Sequence, residues 1–206
     1  MGDNKIFRVL KRIEKKEKVF TWNVPDKLDD SGRIIKWRKS HPRSVDMATG
    51  QMLSTLILAS KSKKILELGC SSGYSTLWMS SAIKKTKWHI YTTESFREKV
   101  QTAKANFKDA GTEKIITLIE GDILKILSKW KNGKLDFIFI DADKNQYLDY
   151  YKLSITLLKK HGIIVADNII SHSTEIKSFL KYINRDKRII FSILNIGSGV
   201  LVLYKK

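Results

Sequence analysis

Short apolar runs rich in Ile, Val, Leu and Phe alternate along the chain with longer stretches whose apolar residues recur at helical spacing. Such runs suit strands buried on both faces, and the stretches between them suit helices that cover the sheet. The runs predict strands at Lys64 to Gly69, Trp88 to Thr93, Ile115 to Ile119, Leu135 to Ile140, Ile163 to Asp167, Arg188 to Leu194 and Val200 to Tyr204. Helices are expected at about Ser75 to Lys84, Phe96 to Ala110, Ile123 to Trp130, Asn145 to Lys160 and Thr174 to Asn184. The alternation defines an α/β class with a doubly wound, mostly parallel sheet. Only NIGSG joins the last two strands, too short for a parallel crossover, so they are expected to form an antiparallel hairpin. Gly111 and Gly162 stand where helix ends call for a residue at positive φ, and Gly133 in KNGK marks a turn.

About sixty residues of different character precede the first strand. KIFRVLKRIEKKEKVF places Ile6, Val9, Leu10 and Ile13 on one side of an amphipathic helix. TWNVPDKLDDSGRIIKWRKSHPRS holds both prolines and reads as irregular, whereas VDMATGQMLSTLILAS reads as a helix leading into the sheet. With no internal repeat or linker, the chain reads as one domain, an extension over 1–44 followed by a core over 45–206.

No run approaches the ~18 unbroken apolar residues of a membrane span. The N-terminus is charged where a secretory signal would be apolar, so a cytoplasmic protein is expected. The single cysteine, Cys70, excludes an internal disulfide and any cysteine-based zinc cluster within the chain. Lys and Arg number 39 against 21 Asp and Glu, a formal charge of +18. That balance favours polyanions such as RNA. Yet the excess is spread along the whole chain with no arginine-rich tail, as a lysine-biased composition alone would give.

The chemistry gathers where predicted strands end. ILELGCSSGYST reads as strand, glycine turn and helix, with Gly69 and Gly73 allowing a tight turn and close approach of a ligand to the new helix. Neither G-x-G-x-x-G nor a P-loop lysine is present, which argues against a dinucleotide or a nucleoside triphosphate. Glu67 before the loop suits a ligand carrying positive charge. Glu94, ending the next strand, is placed to accept the hydroxyls of a ribose, or to serve as the charge at a helix start. Asp122 in IEGD could face an adenine or cap the helix that follows.

Together ILELGCSSGYST, TTES, IEGD, FIDADKNQY and VADNI resemble the metal-dependent O-methyltransferases of the catechol and caffeoyl-CoA group, from about Val45 to the C-terminus. In the closing hairpin, IGSGVLVLYKK is similar to the family's GDGL segment, with Ser198 where Asp is usual. The resemblance implies a Rossmann-like class I methyltransferase fold, S-adenosylmethionine as methyl donor and a homodimer. It implies that Val45 lines the cofactor site, and the cofactor candidates are Val45, Glu67, Gly69, Cys70, Ser75, Glu94, Asp122 and Asp141. Asp141, Asp167 and Asn168 match the family's metal ligands. Two carboxylates and an amide on adjacent strand tips are a hard oxygen set suited to Mg²⁺, Mn²⁺ or Ca²⁺.

Lys144 is the candidate base, with Asp141 as its catalytic partner. A free lysine is protonated near neutrality, so the metal is expected to do more of the activation and Lys144 to orient. For Asp143 three roles stay open: the metal's surroundings, the substrate or the cofactor. His41, His89, His161 and His172 are scattered, and the DYYK aromatics read as core or dimer packing. The expected acceptor is a small catechol-like molecule. The alternative is tRNA, as for the family's tRNA 5-hydroxyuridine methyltransferases, with Trp37 among Arg33, Lys36, Arg38 and Arg43 stacking a base.

Overall fold

The computed structural model describes residues 5–19 and 44–206. The predicted irregular segment up to Arg43, with Trp37 and His41, lies outside them. Seven strands form one sheet: β1 (Lys64–Leu68), β2 (His89–Glu94), β3 (Ile116–Glu120), β4 (Leu135–Ile140), β5 (Leu158–Ala166), β6 (Ile189–Leu194) and β7 (Val200–Lys205). Their order is β3-β2-β1-β4-β5-β7-β6. The first five are parallel, and β7 lies antiparallel between β5 and β6, which makes the expected hairpin.

The described helices are α1 (Lys5–Val19), α2 (Met47–Ala59), α3 (Tyr74–Ile83), α4 (Arg97–Ala110), α5 (Ile123–Ser128), α6 (Tyr147–Leu157) and α7 (Lys177–Ile183). Among the described residues no helix is long and apolar enough to cross a membrane.

The apolar strands divide by parity between two cores. Ile65, Phe137, Phe139 and Val165 face the layer that includes α1 to α4. Leu66, Leu68, Ile138, Ile140 and Ile164 face α5 to α7. Helix α1 docks through the four residues its spacing marks out, Ile6, Val9, Leu10 and Ile13, all buried. At about 1.5–3 kcal/mol for each buried side chain, that face is enough to hold the helix on the domain. Asp46 caps α2 by accepting from Thr49 N at 2.8 Å, and Gly111 ends α4 in the left-handed region at φ 64°.

One boundary departs from expectation. The helix predicted to reach Lys160 stops at Leu157, and β5 begins at Leu158 rather than Ile163. Gly162 is not a left-handed cap; the positive φ falls on His161 (66°), at an irregularity in the β4–β5 register. Leu158 buries its side chain by pairing with Leu135, and Lys159 Nζ donates to Asp136 Oδ1 at 2.6 Å. A Cβ on Gly162 would meet Leu158 Cγ at 2.7 Å and Asp136 O at 3.0 Å, so this glycine is needed for closeness, not handedness.

Candidate active site at the sheet switch point

The strand order reverses direction between β1 and β4, and a doubly wound sheet opens its ligand crevice beyond the carboxyl ends of the strands at that point. The glycine loop follows β1 and Asp141 follows β4, so both reach this edge. They touch: Asp141 N donates to Leu68 O at 2.9 Å, and a Cβ on Gly69 (φ 99°) would lie 2.1 Å from Asp141 O. One strand farther on, Asp167 N donates to Ile140 O at 3.1 Å.

On the glycine-loop side the candidates fall into two groups. Glu67 is wholly buried beneath the loop, accepting from Ser75 Oγ and Thr92 Oγ1, each at 2.5 Å, and from Thr76 Oγ1. Burial raises its pKa from 4.5 to about 7, against the three hydroxyls that favour the anion. Glu67 and Ser75 therefore face each other inside the protein. Cys70 is buried too, and burial pushes its thiol pKa well above the ordinary value, so it is no nucleophile.

Glu94 and Asp122 stand at strand tips. Glu94 accepts from Ser71 N at 2.8 Å, Ser95 N at 2.8 Å and Phe96 N at 2.9 Å. It thus ties the loop to the start of α4, as the helix-start alternative anticipates, and keeps about one of its roughly four lone-pair sites for a hydroxyl. Asp122 caps α5 through Lys125 N at 2.8 Å, leaving its second oxygen exposed. Val45 is buried ahead of α2.

The β4 and β5 tips bring Asp141, Lys144, Asp167 and Asn168 to the same edge. Lys144 Nζ donates to Asp141 Oδ1 at 2.7 Å and to Tyr147 Oη at 2.9 Å. Asp167 is 4% exposed, and its Oδ1 is buried without a hydrogen-bond partner. Burial and the Asp141 charge raise its pKa from 3.8 to about 7. An orphaned carboxylate oxygen beside a second carboxylate and an amide is a donor set that fits a hard divalent cation. Among the described residues no three His, Cys, Asp or Glu side chains gather as a metal cluster, so such a site depends on the Asn168 amide. Asn168 adopts φ 62°, a region Asn tolerates. Asp143 is exposed and caps the short turn Lys144–Gln146 through Asn145 N.

The histidines are engaged elsewhere: His89 with Thr117, His161 with Tyr204 and His172 with Ser171. Tyr150 and Tyr151 are core residues. Two contributors went unread in the sequence. Tyr147, three residues past Lys144, passes for one more core aromatic. Asp46 reads only as the residue after Val45, yet it lies against Gly197 in the β6–β7 turn and its charge adds to the rise at Asp167.

Comparison with known proteins agrees with this architecture. An O-methyltransferase from Bacillus cereus in complex with SAH superposes with TM-score 0.77 at 22% identity, covering 100% of this chain and 92% of that one. An SAH-bound methyltransferase of Podospora anserina gives 0.79 at 24% identity, covering 100% and 89%. These likenesses establish the fold. In sequence, a caffeoyl-CoA O-methyltransferase of Stellaria longipes is 31% identical over 192 residues, 81% of this chain and 79% of its own. A flavonoid 3',5'-methyltransferase of Vitis vinifera is 31% identical over 180 residues, 76% of each chain. A catechol O-methyltransferase of Niastella koreensis is 37% identical over 130 residues, 62% of this chain and 58% of its own. The family model described as O-methyltransferase matches residues 28–206, and the chain belongs to that family of S-adenosylmethionine-dependent enzymes.

Proposed function

We propose that the protein methylates one of two adjacent oxygens on a catechol-like acceptor, using a divalent cation held by Asp141, Asp167 and Asn168, with Mg²⁺ the first candidate. The observation that carries this reading is the buried, unpartnered Asp167 Oδ1 next to Asp141. The names of the relatives, which include catechol and caffeoyl-CoA enzymes, support the acceptor class. A bound cation would favour the ionised form of the acceptor hydroxyl. A phenol titrates near ~10, so mostly oxyanion at neutral pH requires on the order of 4 kcal/mol.

The chain's own groups then have defined tasks. Lys144, held by Asp141, orients the acceptor hydroxyl and is the candidate to receive its proton once the bound cation favours the oxyanion. Glu94 and Asp122 offer acceptors for the ribose and adenine of S-adenosylmethionine, and the glycine loop sets the donor against the β4 tip. The acceptor oxygen bonds to the methyl carbon as the carbon–sulfur bond breaks, leaving S-adenosylhomocysteine. Holding the two partners in line supplies the remaining acceleration.

Asp167→Ala is the cleaner test, because Asp141 also meets the glycine loop. We expect turnover of catechol to fall at least 100-fold, Mn²⁺ binding by calorimetry to vanish, and S-adenosylhomocysteine affinity to stay within about threefold, as removal of a metal ligand should do. Full turnover after exhaustive chelation would overturn the reading.

A second reading, tRNA as acceptor, is favoured by one observation. Helix α1 carries Lys5, Arg8, Lys11, Lys15, Lys16 and Lys18 outward, while Arg12 pairs with Asp109 of α4 and its acids turn inward, Glu14 accepting from Tyr74 Oη at 2.6 Å and Glu17 from Ser44 Oγ at 2.5 Å. A merely solvated face would mix the signs. Ser44 also lies 3.5 Å from Ser72 of the glycine loop, so the cationic face leads to the crevice. If Lys11→Glu, Lys15→Glu and Lys18→Glu together leave tRNA affinity and its salt dependence unchanged, this reading fails.

A further inference from the structure

The two strand tips and Lys144 share one group that is neither a ligand nor a base in the scheme above. Tyr147 Oη accepts from Lys144 Nζ at 2.9 Å, and its proton points to two backbone carbonyls, Asp167 O at 3.1 Å and Ile140 O at 3.3 Å. Ile140 is the last residue of β4, and Asp167 follows the last residue of β5. The ring is fully buried and meets Phe179 edge-on, centroids 5.9 Å apart at 84°, so the phenol cannot swing away.

A phenol has a single proton. With that proton directed at carbonyls, the oxygen can only accept from Lys144. Asp141 Oδ1 also accepts from the amine. Both partners of the lysine nitrogen therefore require an N–H from it, which occupies two of its three positions. The third has no hydrogen-bond partner among the described residues.

We infer that Tyr147 is a positioning residue whose hydroxyl, with Asp141, fixes the Lys144 amine between both strand tips and leaves its third position for the acceptor hydroxyl. The inference rests on the reading of Lys144 as the group that meets the acceptor hydroxyl. Tyr147 is wholly buried and acts through Lys144.

The experiment compares Tyr147→Phe, Lys144→Ala and the double variant, with catechol as acceptor and Mg²⁺ saturating. Displacing a reacting group by about 1 Å can lower a rate ~100-fold. We expect Tyr147→Phe to lower kcat roughly 10- to 100-fold, with both KM values within about threefold and S-adenosylhomocysteine binding retained. The double variant should be no slower than Lys144→Ala, because an unaimed lysine and an absent one are equivalent. A purely structural tyrosine would slow both backgrounds by the same factor, and that multiplicative result overturns the inference. So does Tyr147→Phe at full kcat. If Tyr147→Phe does not fold, 4-fluorophenylalanine at 147 keeps the ring shape and replaces the hydroxyl by a non-ionising, very poor acceptor; an unchanged kcat there is equally fatal. Wild-type turnover by Lys144→Ala would instead remove that reading of Lys144, and the inference with it.

Discussion

Glu67→Gln isolates the electrostatic cost of the charge beneath the glycine loop. The carboxyl is fully buried, and its pKa rises from 4.5 to about 7 although three hydroxyls donate to it. The folded protein therefore holds the proton more tightly than the unfolded chain. Between those values the folded state binds more protons, so this group's contribution to stability falls as pH rises and levels off above about 7. Shifting a carboxyl that far corresponds to about 3 kcal/mol, most of which is lost between pH 5 and pH 8. Glutamine has no proton to lose there; its single oxygen can accept from Thr76 and Thr92 while its amide N–H donates to Ser75 Oγ. Urea unfolding of both proteins at pH 5 and pH 8 gives the difference of differences, in which other titrating groups such as Asp167 largely cancel. The wild type should lose roughly 2–3 kcal/mol more than Glu67→Gln over this interval. Equal pH dependence in the two proteins would mean that Glu67 titrates normally and that the buried network does not strain its charge.

Gly69→Ala should destabilise by roughly 3–5 kcal/mol, since it adds strain at φ 99° to a collision with the Asp141 carbonyl. Gly111→Ala (φ 64°, nearest atom Lys5 Cδ at 4.0 Å) carries the handedness cost alone and should lose about 1 kcal/mol. Equal losses in denaturant melts would show that the loop and the β4 tip are not in contact. Leu10→Ala should lose about 2–5 kcal/mol as a buried large-to-small change; a loss below about 1 kcal/mol would mean α1 is not packed on the core.

The sequence by itself determined the element order, because buried parallel strands must be apolar throughout and helices must repeat every three to four residues. It also marked the strand-tip residues, since Asp141 and Asp167 end apolar runs and nothing in a core would take a carboxylate there unpaired. It fixed the antiparallel hairpin through the brevity of NIGSG.

Only the tertiary structure decided which face each strand residue takes. Ile138 and Phe139 are equally apolar yet enter opposite cores, because the β4 register against β1 sets the parity. The same holds for Leu158: its spacing continues the helix before it, and pairing with Leu135 draws it into the sheet. The inward turn of Glu67 was hidden too, for a glutamate before a glycine loop looks the same whether it meets a ligand or three hydroxyls. Tyr147 shows the limit most sharply. Its role depends on two carbonyls from different strands converging on one oxygen, and such convergence exists only once non-neighbouring segments have packed.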